Sequence, residues 1–196
     1  MTKSFNAKRK GTKVTTGPVR LSYANLLVAK AIGDSSEEKY SVSLIISKED
    51  KETLKALKEA IAQAKEEGKV KLGGKVTAAL KVPLRDGDEE RPDDDAYANS
   101  YFMNCNSKTK PKVYEFIKFT TDGKVKAKPI DSEDDVYSGM FACVSVNFYA
   151  YNTNGNKGIA CGLGNVLKTD DGERLGGGSS AEEDFDLASD DEEFDF

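Results

Sequence analysis

Flat rings share the phase of a two-residue alternation in two parts of the chain. Tyr149 and Tyr151 alternate with Asn147 and Ser145, and Tyr97 and Tyr101, with Phe102 beside them, flank Asn99. Aromatic rings on the polar face of a strand give unpaired bases something to stack on, at roughly 1–3 kcal/mol per base, provided that cations beside them follow the phosphates. Such cations are present. Lys8, Arg9, Lys10, Lys13 and Arg20 lie in an opening segment without a single acid, Lys108, Lys110 and Lys112 follow the second ring pair, and Lys157 follows the first. A further basic run holds Lys124, Lys126 and Lys128. Each tyrosine taken alone also reads as the rim of a barrel core with its hydroxyl in water, and each lysine as solubilising charge. The binding reading rests on their combination.

Other chemistries lack their residues. The chain has no histidine, which removes imidazole acid–base work, Ser-His-Asp catalysis and His-ligated metals. Its three cysteines, Cys105, Cys143 and Cys161, form no C-x-x-C pair. That usage fits a reducing compartment and argues against a clustered zinc site or a disulfide scaffold. Gly155, Gly158, Gly162 and Gly164 are closely spaced, but no Gly-Lys-Ser/Thr follows and no helix is expected there, so they do not make a phosphate loop. Asp93, Asp94 and Asp95 leave open a Mg²⁺-dependent nuclease or resolvase. The Glu-x-Lys pairs, however, lie upstream of them, the reverse of the nuclease order. A structural or chaperone-like role is the remaining alternative. The expectation is a protein that is not an enzyme and needs no cofactor or metal.

The charge total conceals its order. Among 196 residues, 29 Lys and Arg stand against 34 Asp and Glu, for a net charge of −5. Residues 179–196, SSAEEDFDLASDDEEFDF, hold nine of those acids and no base, so residues 1–178 carry 29 bases against 25 acids, or +4. A Gly-Gly-Gly-Ser-Ser run (176–180) leads into this segment. Such composition makes a flexible hinge, and the acidic stretch has too little apolar content to fold alone. A merely solvating tail has no use for Phe185, Phe194 and Phe196. Asp190, Asp191, Glu192, Glu193, Phe194, Asp195 and Phe196 instead suit a docking peptide, with rings for an apolar pocket and carboxylates for a basic rim. The same carboxylates can mimic phosphates.

Strands must position the rings. In KYSVSLIIS, Tyr40, Val42, Leu44 and Ile46 share one face, and in SGMFACVSVNFYAY so do Met140, Ala142, Val144, Val146 and Phe148. That period of two marks half-buried strands. RLSYANLLVAKA, YANSYFMN, PKVYEFIKF and KGIACGLGNVLK complete the set, with Asn-Thr-Asn-Gly-Asn (152–156) as a hairpin turn. One amphipathic helix is expected, capped by Ser47 with Asp50 three residues on. It carries Leu54, Leu57, Ile61 and Ala64 on one face and ends at Gly68. The expectation is a mainly β chain. An OB-fold-like small barrel of five or more strands with one inserted helix occupies residues 18–175, behind a basic N-terminal arm (1–17) and ahead of a hinge and disordered acidic tail (176–196). No apolar run reaches transmembrane length, and no secretory signal precedes the body.

The run FYAYNTNGNKGIACGLGNVLKTDDGERLGGGSSAEEDF (148–185), the acidic Phe-ended segment and the block YANSYFMNCNSKTKP (97–111) resemble a family of phage and prophage single-stranded DNA-binding proteins of Gram-positive hosts. The resemblance implies an OB-fold that protects single strands in phage replication, recombination and repair, in the cytoplasm of the bacterial host. It implies a monomer or weak dimer whose acidic tail recruits a polymerase, helicase or primase. It places Tyr101, Phe102, Tyr149, Tyr151 and Lys157 in the binding region.

Overall fold

Alternation builds the sheet. The computed structural model describes residues 4–31, 36–74, 76 and 80–176. Its elements run β1 (Lys8–Lys10), β2 (Lys13–Thr15), β3 (Val19–Ala31), β4 (Glu38–Ser47), α1 (Lys51–Glu67), β5 (Arg85–Asp86), α2 (Gly87–Glu90), β6 (Ser100–Ser107), β7 (Val113–Phe119), β8 (Val125–Pro129), β9 (Phe141–Thr153) and β10 (Asn156–Asp170). Val42, Leu44 and Ile46 of β4 and Ala142, Val144, Val146 and Phe148 of β9 are buried in one core, as the period of two requires.

Five strands close on themselves. β9 pairs with β3, β3 with β4 and β4 with β6, all antiparallel; β6 then pairs parallel with β10, which returns antiparallel to β9. In chain order the ring reads first, second, third, fifth, fourth, an OB-fold-like barrel. The β9–β10 turn uses Asn154 and Gly155, both at positive φ (51° and 84°), which gives the twist a two-residue hairpin needs. The β7–β8 hairpin extends the sheet beyond β10.

Two local expectations change. Residues 8–15, part of the segment expected as a basic arm, form the β1–β2 hairpin, turned at Gly11 (φ 63°) and paired through β2 to β9. In addition, α1 is capped by Asp50, whose carboxylate accepts the Thr53 N–H at 3.0 Å, while Ser47 Oγ accepts from Glu49 in the preceding turn. The predicted stripe of α1 is buried, and the helix ends at Gly68. A Cβ on Gly68 would stand 2.1 Å from the Ala150 Cβ, so that glycine seats the end of the helix directly on β9. Among the described residues no helix is long and apolar enough to cross a membrane.

Candidate nucleic-acid interface

Residues directly opposite each other on paired strands share a face, and one such row wraps most of the barrel's outer surface. Lys10 faces Lys13, Lys13 faces Asn147, Asn147 faces Gly162, Gly162 faces Asn106, Asn106 faces Ser41 and Ser41 faces Asn25. Lys8, opposite Thr15, lies on the same side of the hairpin. The inward neighbours of this row, Val14, Val146, Cys161, Cys105 and Val42, are buried. The row is therefore polar throughout, with its cations at the β1–β2 end. Lys8, Lys10 and Lys13 are exposed, and among the described residues no carboxylate pairs with them.

The tyrosines of β9 continue this face. Tyr149 is 47 % exposed and stands opposite Ala160, and Tyr151 stands opposite Gly158. Small residues on β10 leave space for the rings. A Cβ on Gly158 would fall 2.8 Å from Tyr151 Oη, and one on Gly162 would fall 3.4 Å from a Tyr149 ring carbon. The rings thus lean across β10 rather than standing away from it.

A groove of about 360 Å³ lies on the β3, β4 and β6 part of the same surface, floored by Ser41, Ser43, Asn104 and Asn106, with Tyr23 and Arg91 at its rim. Tyr23 is 61 % exposed with φ 48°. Strict alternation from the buried Leu21 would turn Tyr23 inward. A register shift between Ser22 and Asn25 turns it out instead. A left-handed non-glycine residue costs on the order of 1 kcal/mol, and such strain gathers at functional positions. Arg91 stacks over Tyr97 at 4.6 Å, Phe102 at 5.1 Å and Tyr23 at 5.8 Å. Neither Tyr23 nor Arg91 stands out in the sequence: one hides in a broken alternation, the other in an acidic block. The break itself, Ser-Tyr-Ala-Asn within a strand, is the available signal.

The remaining candidates are distributed differently. Tyr97 and Phe102 are 1 % and 0 % exposed and form a small core with Ile45. They were expected among the rings that bases stack on; their faces are instead taken by each other and by Arg85 and Arg91, and Tyr97 lies in a short turn ahead of β6. Tyr101 points to the opposite side of β6, where Lys48 and Lys58 sit over its ring at 5.2 and 5.1 Å. Two bases are committed to the fold rather than free. Arg9 is on the far face of its hairpin, bonded to Glu59 at 3.1 Å and Gln63 at 3.0 Å of α1, and Arg20 donates to the Glu173 carbonyl at 3.0 Å. Lys157 Nζ donates to the Leu72 carbonyl at 3.3 Å. Lys108 pairs with Glu37, and this contact, with Lys39 adding to it, holds the Glu37 carboxyl below its ordinary range. Lys110 and Lys112 are exposed at the start of β7, beside Tyr114. Asp190, Asp191, Glu192, Glu193, Phe194, Asp195 and Phe196 lie outside the described residues.

The acidic block that left a nuclease open is a capping loop. Asp94 accepts from the Ala96 N–H, Asp86 from the Asp88 N–H, and Asp86 and Asp88 both bind Lys48 at 2.7 and 2.6 Å. Those two contacts hold the Lys48 ammonium well above the usual lysine range, Asp86 contributing more than Asp88. Among the described residues no three Asp, Glu or Cys side chains converge as a metal site requires.

Known proteins share this barrel and its sequence pattern. The model of the family described as "Enterobacter phage Enc34, ssDNA-binding protein" matches residues 12–195. The chain belongs to this family. The Enc34-type match begins at Thr12, so it takes in Lys13, the β9 tyrosines, the Tyr23–Arg91 groove and the acidic segment, while Lys8 and Lys10 precede it. Protein p50 of Acyrthosiphon pisum secondary endosymbiont phage 1 is 27 % identical over 185 residues, covering 89 % of this chain and 92 % of that protein. Among solved structures, a C-terminal truncation of the bacteriophage Enc34 single-stranded DNA-binding protein superposes with a TM-score of 0.68 at 21 % identity, covering 89 % of this chain and 99 % of that one. The same phage protein in complex with ssDNA gives 0.63 at 24 % identity, covering 90 % and 100 %. At these identities the structures speak for the fold: the Enc34-type proteins share the barrel found here.

Proposed function

We propose that this protein binds single-stranded DNA without strong sequence preference and protects it during phage DNA replication, recombination and repair in the host cytoplasm, as a monomer or weak dimer. The observation that carries the reading is the outer row from Lys10 and Lys13 through Asn147, Gly162 and Asn106 to Ser41. A strand laid along it meets free ammonium groups at one end, Tyr149 and Tyr151 in the middle and the Tyr23–Arg91 groove at the other. Lysines release counterions from the phosphates, and open rings accept bases of any sequence. One solved relative, described in complex with ssDNA, supports the same assignment. Residues 179–196 serve as a docking peptide for replication proteins and compete with phosphate for the chain's cations. Gel shifts of the full chain with single-stranded DNA, duplex DNA and single-stranded RNA test the proposal. Tightest retardation is expected for single-stranded DNA, at similar affinity for unrelated sequences. Equal affinity for duplex, or no shift at all, overturns it.

A further inference from the structure

The helix α1 carries a second basic surface that the proposed DNA face does not use. Lys51, Lys55 and Lys58 recur at helical spacing along one side of its N-terminal half and, with Lys48 just ahead of the helix and Glu59, line an open groove of about 440 Å³ floored by Leu54 and Tyr101. Lys48 is held by Asp86 and Asp88, whereas among the described residues no carboxylate pairs with Lys51, Lys55 or Lys58. Glu59 is taken by Arg9, and Lys51 donates to the Lys48 carbonyl. Three ammonium groups without a carboxylate partner therefore stand in a row along the helix and repel one another, and their butyl stems add apolar wall to the groove. The groove thus calls for an anionic occupant with apolar side chains.

Base stacking does not fit there. Tyr101, the ring in the groove's lining, already holds Lys48 and Lys58 over it at 5.2 and 5.1 Å, so it is engaged by cations. An acidic peptide with phenylalanines fits on both counts, and the chain contains one. Residues 179–196 hold nine acids, no base, and Phe185, Phe194 and Phe196. The described chain before them ends against β4. Leu175 packs against the Ile45–Tyr97–Phe102 cluster, with its N–H donating to the Ser138 carbonyl at 2.8 Å. Ile45 of β4 is three residues before Lys48, about 10 Å along an extended chain. A flexible chain of twenty residues, the length of 177–196, would span on the order of 25 Å.

We infer that residues 179–196 dock in cis on the Lys51–Lys55–Lys58 side of α1, carboxylates on the ammonium groups and phenyl rings on Leu54 and the lysine stems. The inference rests on reading 179–196 as a docking peptide and does not depend on DNA binding by the outer row. It gives that segment a resting place from which a partner with a stronger basic pocket would lift it.

Zero-length carbodiimide coupling of the full chain, mapped by mass spectrometry on an equimolar mixture of ¹⁴N- and ¹⁵N-labelled protein, tests it. Amide cross-links are expected between carboxylates of 182–195 and Lys51, Lys55 or Lys58, within one isotope label, and lost at about 1 M NaCl, where the Debye length falls to about 3 Å. In Lys55→Glu/Lys58→Glu the links to Lys51 should fall at least fivefold. Lys55→Gln/Lys58→Gln should weaken them less, with both variants melting like the parent by circular dichroism. Cross-links to Lys8, Lys10 and Lys13 with none to Lys51, Lys55 or Lys58, links only between isotope labels, or no link from 182–195 would each overturn the inference. Gel shifts on the same samples read the DNA proposal separately, so either can fail without the other.

Discussion

The β1–β2 hairpin presents its bases on two faces, and this makes the DNA assignment quantitatively testable. Lys8, Lys10 and Lys13 share the outer face with Asn147 and the β9 tyrosines, whereas Arg9, between two of them in sequence, turns inward to Glu59 and Gln63. If each of the three lysines neutralises one phosphate, replacing all three by Gln removes three counterion-release terms. On a single strand each is worth a slope of about 0.7 in log K against log salt. The slope should become shallower by about 2. At 0.1 M salt the same arithmetic gives a loss of about 2 log units in affinity, close to 3 kcal/mol. All three side chains are exposed, so the folded state should change by no more than about 0.5 kcal/mol. Arg9→Gln is the matched control: one base lost from the same hairpin, with the slope unchanged because its guanidinium never faces the strand. Fluorescence anisotropy with a labelled oligonucleotide from 50 to 300 mM NaCl measures both. Equal flattening by Arg9→Gln and the triple variant would refute the facial assignment. An unchanged slope in the triple variant would remove the hairpin from the DNA contact.

Three further outcomes separate binding from folding. Tyr149→Ala, at a half-exposed ring, should weaken single-strand binding by about 1–3 kcal/mol with the urea midpoint unmoved, whereas Phe102→Ala, fully buried beneath Arg85 and Arg91, should cost about 3–5 kcal/mol of stability; the reverse pattern would contradict the placement of both rings. Gly68→Ala should destabilise although its φ of −86° suits any residue, because the new methyl meets the Ala150 Cβ at 2.1 Å; a neutral or raised melting temperature would show that the α1–β9 contact yields. Burial, with Asp170 adding to it, pushes the Cys143 thiol up to about 12, against about 8.5 in an unfolded chain. Between those values the unfolded chain has released a proton that the folded chain keeps, so this thiol's contribution is intact below about pH 8.5 and is lost as pH rises, by up to about 1.4 kcal/mol per pH unit. The stability difference between the parent and Cys143→Ala, read from urea midpoints at pH 8, 9.5 and 10.5, should shift steadily in favour of the variant, and a constant difference would refute it.

The strands are legible in the sequence because alternation is internal to each. Alternation in KYSVSLIIS and SGMFACVSVNFYAY needs only the period of two, and the inward sets proved to be the core. The 152–156 turn was legible for the same reason, since Asn-Gly chemistry is local. Facial identity within β9 is local too, and it sets Tyr149 and Tyr151 together on the polar side. What depends on register was hidden. No local pattern says that Lys13 lies opposite Asn147, or that β10 runs parallel beside β6 and sets Gly162 against Asn106. The basic segment therefore read as an arm rather than as two strands with Lys8, Lys10 and Lys13 on one side and Arg9 on the other.

Composition misled where a residue's neighbours in space differ from those in sequence. Arg91 sits among seven acids in the 85–95 block and reads as a neutralised base. In the fold, Asp86 and Asp88 turn to Lys48, Glu90 to Arg85 and Asp94 to its own turn, so the Arg91 guanidinium is left stacked between Tyr97, Phe102 and Tyr23 at the rim of the groove. The acids that mask it in sequence are those whose partners free it in space. Tyr97 and Phe102 misled in the opposite sense, as rings beside polar residues that the same loop then covers. Their burial still serves the surface: Arg91 keeps its place over Tyr23 because two closed aromatic faces lie beneath it. Phe102→Ala should therefore loosen Arg91 and lower single-strand affinity as well as stability, whereas Arg91→Gln should lower affinity alone.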